Sequence, residues 1–157
     1  MPTLRLRGIE SRLLYLAVQY HLDRPGSELD PATGRPVSHG LADVAPRLLE
    51  AGDAELALTL TPLQAGRADS AILGAINELK VYPMLASSGG GASGRRSMAS
   101  RFEMALRELW PQVVDDPEEA LSLVPALVAL RRRLRQALAA SGPERPRPRP
   151  FWRFWSR

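Results

Sequence analysis

The sequence predicts a mainly α fold, with about five or six helices around one core and room for a short β element; an α+β fold is the alternative. Three observations carry this reading. Apolar residues recur at helical spacing over 9–22, 68–82, 98–109 and 123–138. Asp116-Pro117-Glu118-Glu119 opens a helix with a cap, a first-turn proline and acids near the positive end of the dipole. Glycine and proline separate the periodic stretches, so each reads as its own element.

In chain order, Thr3-Leu4-Arg5-Leu6-Arg7 alternates as a short strand would. Ile9, Leu13, Leu16 and Tyr20 then fall on one helical stripe, while Leu14, Leu16, Val18, Tyr20 and Leu22 also alternate with period two. Length and the scarcity of β-branched residues favour helix over strand. Residues 23–40 hold Pro25-Gly26, Asp30-Pro31, Gly34-Arg35-Pro36 and Gly40, an exposed loop of turn chemistry. Were 9–22 a strand, 30–37 would read as part of a hairpin. Loops this long are uncommon inside a domain and tend to carry function.

Asp43 is placed to cap a short helix, with Pro46 in its first turn and Gly52 as its stop. Leu56, Leu58 and Leu60 alternate with Ala57 and Thr59 in the best strand of the chain, over 55–61. Ile72, Ile76 and Leu79 mark a helix over 68–82 that Pro83 should end. Residues 87–97 have linker composition. Met98, Phe102, Ala105 and Leu109 form the next stripe, with Ser97 as cap and Pro111 as stop. The helix opened at Asp116 carries Leu123, Leu127, Leu130, Leu134 and Leu138, kinked at Pro125. Gly142-Pro143 closes the folded part, which assigns 1–141 to a helical domain and 142–157 to a tail.

No apolar run approaches the length of a membrane span, and the N-terminus has no secretory h-region. With no cysteine among 157 residues there is no thiol chemistry. These features make a cytoplasmic location the expectation. The Arg-rich, Lys-poor composition fits a bacterial source. The basic balance is confined to the end of the chain. Residues 1–141 hold 15 Arg and one Lys against 16 acids, whereas 142–157 hold five Arg against Glu144. A neutral body has no overall field to steer a polyanion, although local patches remain.

Gly89-x-Gly91-x-x-Gly94 matches a dinucleotide fingerprint, with Asp115 near the expected ribose-binding acid. A poor preceding strand and the absence of a βαβ unit argue against it, and Arg96 spoils a P-loop reading. A looser anion site remains at Arg95 and Arg96 beside a helix start. Arg131, Arg132, Arg133 and Arg135 form the only dense basic run of the body, read as a solvated helix end with phosphate contact as the alternative. His21 and His39 with Asp23, Asp30 and Asp43 lack metal-ligand spacing. No Gly-x-Ser-x-Gly occurs, and neither a catalytic residue nor a cofactor is expected.

The tail is the exceptional segment. Arg145-Pro146-Arg147-Pro148-Arg149-Pro150 favours extended polyproline II, and Phe151, Trp152, Arg153, Phe154, Trp155 and Arg157 follow. In composition it resembles short membrane-active peptides and the membrane-targeting tails of some bacterial proteins. Tryptophan prefers the bilayer interface and arginine anionic lipid, but both also anchor protein interfaces. The expected function is a non-catalytic interaction or adaptor module, peripheral at the inner face of the membrane. Its tail would dock on an anionic membrane surface or a protein partner, unless it packs on its own domain. A small nucleic-acid-binding protein using Arg95, Arg96, Arg131–Arg135 and the tail is the alternative. An enzyme using the 23–43 and 89–97 loops is the second. A homo-oligomer is compatible with all three.

Overall fold

The computed structural model describes residues 1–87 and 100–141. Strand β1 (Thr3–Leu6) pairs antiparallel with β2 (Leu56–Thr59), with Leu4 opposite Leu58 and Leu6 opposite Leu56. Period-two alternation turns Leu4, Leu6 and Leu58 into the core and leaves Thr3, Arg5, Ala57 and Thr59 outside. The pair is a small β element on a mainly helical body, as the alternating leucines predict. The chain between its strands forms α1 (Glu10–Leu22) and α2 (Ala45–Ala51).

Helix α1 is the centre of the molecule, in contact with α2, α3 (Pro62–Ser87), α4 (Arg101–Leu109) and α6 (Val124–Ala140). Leu13, Leu14, Leu16, Ala17 and Val18 are all buried. A helix enclosed on most sides is apolar on most sides, and this is why its sequence carries a strand-like alternation as well as a helical stripe. Gly74 lets α3 approach it: a Cβ there would lie 1.9 Å from Cε1 of Tyr20. The Tyr20 ring meets Phe102 of α4 edge-on, with centroids 6.1 Å apart and planes at 82°.

The helix ends correct several expectations. Asp43 does not cap α2, because the N-cap is Val44 in helical conformation, with no side-chain bond. Pro46 and Gly52 take their expected places, Gly52 at φ +54°. Helix α3 starts six residues before Ala68, at Pro62, on a reciprocal cap: Gln64 N donates to Thr61 Oγ1 (3.1 Å) and Thr61 N to Gln64 Oε1 (2.9 Å). It also runs through Pro83 to Ser87. Proline deprives the Leu79 carbonyl of its helical donor, but residues 84–87 can still donate to residues 80–83.

Helix α4 is capped by Ser100, whose Oγ accepts from Glu103 N at 3.1 Å. Ser97, the expected cap, and Met98 lie outside the described residues. After the short α5 (Gln112–Asp115), Asp116 caps a 3-10 segment, Pro117–Leu123, rather than an α-helix. Pro125 sits in the first turn of α6, where a missing N–H costs nothing, so it starts a helix instead of kinking one. Leu127, Leu130 and Leu134 of α6 are buried and Leu138 partly so, packed with α1 and α3 in one continuous core.

Candidate functional site

The loop after α1 is a folded strap. Asp30 Oδ1 accepts from the amides of Thr33 (2.8 Å) and Ala32 (2.9 Å) and from the Thr33 hydroxyl (3.1 Å). Those N–H groups, Thr33 first, hold its carboxyl below the usual range. Gly34 turns at φ +64°, Leu29 bridges Pro36, and Val37 N donates to Glu28 O at 2.9 Å. The hairpin-like turn thus coexists with a helical α1, although the sequence ties it to a strand there.

Glu28 fastens this strap to the helices. Its Oε1 lies 2.7 Å from His21 Nε2 and 3.5 Å from Arg67 Nη1, and it accepts from Leu41 N at 3.3 Å. Arg67 Nη2 donates to Leu29 O at 3.1 Å, and Gln64 Nε2 to Gly40 O at 3.2 Å. Arg67 Nη1 is buried and makes no hydrogen bond among the described residues; it lies 3.5 Å from Glu28. Gly40 is needed here, since a Cβ would fall 1.5 Å from Glu28 Oε2.

Between strap and α3 opens a pocket of about 530 Å³. His21, Arg24, Ser27, Arg67 and Ser70 supply its polar lining, and Pro25, Pro62 and Leu63 its apolar part. Among the described residues the His21 imidazole is hydrogen-bonded to Glu28 and to no hydroxyl, so neither Ser27 nor Ser70 is activated by it. Arg24 is exposed and has no ion pair among the described residues. Sequence reading placed interest in the 23–43 loop but did not bring Arg24 and Arg67 to one pocket. The Thr61-Pro62-x-Gln64 cap was the legible sign that α3 begins beside this loop.

Three of the four arginines in the basic run of α6 are ion-paired to the body, which corrects their reading as a wholly solvated helix end, although Arg132 and Arg135 remain exposed. Asp69 of α3 receives two arginine forks: Arg131 Nε and Nη2 at 2.9 and 3.0 Å, and Arg135 Nε and Nη2 at 2.8 and 3.0 Å. These bonds, those of Arg135 first, hold the Asp69 carboxyl below its ordinary value against the opposing effect of burial. Arg133 donates to Glu10 and to the Arg5 carbonyl. Arg132 alone of the four has no ion pair among the described residues.

The remaining polar candidates have local roles. Asp23 accepts from the amides of Arg101 and Phe102, both at 2.9 Å, and so caps α4 from the end of α1. Exposed His39 lies 3.9 Å from Asp43, and Asp115 ends α5. Arg95, Arg96 and the 89–97 glycines lie outside the described residues, as do the tail residues Arg145, Arg147, Arg149, Phe151, Trp152, Arg153, Phe154, Trp155 and Arg157. No helix among the described residues is long and apolar enough to cross a membrane. No protein-family model matches the chain, nor does any curated protein or solved structure.

Proposed function

We propose that this chain is a non-catalytic interaction module, a helical body that carries residues 142–157 to an anionic membrane surface. The supporting observation is the distribution of charge. Among the described residues eight arginines of the body are ion-paired within it, to Glu55, Asp53, Glu28, Glu103, Asp69 and Glu10. The net surplus of positive charge and four aromatic rings fall in residues 142–157. At a bilayer the tail's arginines would each contribute roughly 1 kcal/mol near anionic lipid, and its Trp and Phe rings would insert at the interface. The nucleic-acid alternative is weakened because Arg131, Arg133 and Arg135 have partners inside the protein.

The test is sedimentation of the full chain and of a chain ending at Ser141 with vesicles containing phosphatidylglycerol or phosphatidylcholine alone. The full chain should sediment with the anionic vesicles and the shortened one should not. The last buried leucine of α6 is Leu134, so the shortened chain should melt within a few degrees of the full one. Trp152→Ala with Trp155→Ala should remove most of the binding, because apolar insertion sets residence at the interface. Equal sedimentation of the two chains would refute the reading. So would binding lost only with Arg147→Gln and Arg149→Gln, which would assign the attachment to charge alone. Absence of vesicle binding, with capture of one protein by the full chain alone, would replace the membrane by a protein partner.

A further inference from the structure

We infer that the pocket between the strap and α3 is a binding site for a small molecule with a phosphate or carboxylate group on an apolar body. Its lining holds two arginines and, among the described residues, no carboxylate. Arg24 and Arg67, both permanently charged, line it together with His21. Glu28 is shared between His21 and Arg67, and the Asp30 carboxylate also lies within electrostatic reach of Arg67. Asp23 is occupied with the amides opening α4, Asp30 with the amides of its own turn, and Asp69 with Arg131 and Arg135. Arg24, exposed and without an ion pair among the described residues, is therefore the cation open to an incoming anion.

Three further features suit such a ligand. Pro62 and Leu63 form the first turn of a 26-residue helix, so the positive end of its dipole borders the same cavity. The hydroxyls of Ser27 and Ser70 can donate to an anionic oxygen. Pro25, Pro62 and the half-exposed Leu63 give an apolar rim beside the cationic wall. A volume near 530 Å³ lies within the range of small-molecule sites, about 300–1,000 Å³, and exceeds what a bare inorganic anion fills.

Inorganic phosphate and phenyl phosphate are titrated into the ¹⁵N-labelled full chain at constant ionic strength, and the amides of Gly26, Ser27 and Gly66 are followed. Saturable shifts should appear at these amides, with phenyl phosphate binding more tightly than phosphate. Arg24→Gln should weaken phenyl phosphate roughly tenfold, the loss expected for one charge-assisted contact. Arg47→Gln removes the same charge from an exposed position of α2 and should leave the affinity unchanged. Neither arginine makes an ion pair among the described residues, so both variants should keep the fold. Short-chain phosphatidic acid below its micelle concentration separates the sources. Tighter binding than phenyl phosphate assigns the site to a lipid headgroup, and weaker binding assigns it to a soluble molecule. Shifts confined to amides away from the pocket, or equal effects of the two arginine variants, would overturn the inference.

Discussion

Replacing Asp69 by Asn tests how far charge holds α6 to α3. The substitution keeps the side-chain volume but removes the charge and turns one acceptor into a donor facing a guanidinium. Arg131 and Asp69 are 20% and 17% exposed, so their two-bond contact is largely shielded from water. Losing it should cost about 2–3 kcal/mol, the range for hydrogen bonds to charged groups. Arg135 is 59% exposed, and solvent screening removes most of its share. For a domain of this size the loss corresponds to a melting temperature lower by roughly 6–10 °C.

Thermal and urea unfolding of the wild type, Asp69→Asn, Arg131→Gln, Arg135→Gln and the two double variants give the coupling energies directly. Arg131→Gln should destabilise more than Arg135→Gln, and neither should add much once Asp69→Asn is in place. The pH dependence has a fixed sign. The folded-state carboxyl of Asp69 is depressed, so its contribution is complete above the unfolded value of about 4 and is lost as pH falls through the folded one. The gap between wild type and Asp69→Asn should therefore close in acid. A loss below about 0.5 kcal/mol at neutral pH, or a gap that widens in acid, would refute the reasoning.

Two other predictions concern the core. Gly74→Ala gains about 1 kcal/mol of helix propensity but pushes Tyr20 off Phe102, an overpacking cost of about 1–3 kcal/mol. It should therefore lower the melting temperature and shift the Phe102 ring resonances; stabilisation by the full propensity gain would show that α1 and α3 are not in close contact. Ser11 Oγ is buried on α1 with no hydrogen-bond partner among the described residues, so Ser11→Ala should stabilise the protein by about 1 kcal/mol in urea unfolding, and a loss of stability would reveal a partner for the hydroxyl.

Periodicity by itself determined the helical class and the inward leucines of both strands and of α6, and glycine and proline chemistry determined the stops at Gly52 and Pro111. Each depends on residues within a few positions, whose spacing sets which face is buried. What needed the tertiary structure lies between elements distant in the chain. The pairing of β1 with β2 joins segments separated by α1 and α2, and no local signal chooses that partner. Asp23 caps a helix that begins at Arg101, a contact no local cap rule contains. Arg131 and Arg135 looked solvent-facing because nothing near them in sequence answers their charge, and Asp69 does so only once α3 crosses α6. The pocket has the same origin: Arg24 ends one helix and Arg67 lies near the start of another, and packing alone sets them around one cavity. Local spacing decides which side of a helix is apolar, but the placing of polar groups against each other is decided by the fold as a whole.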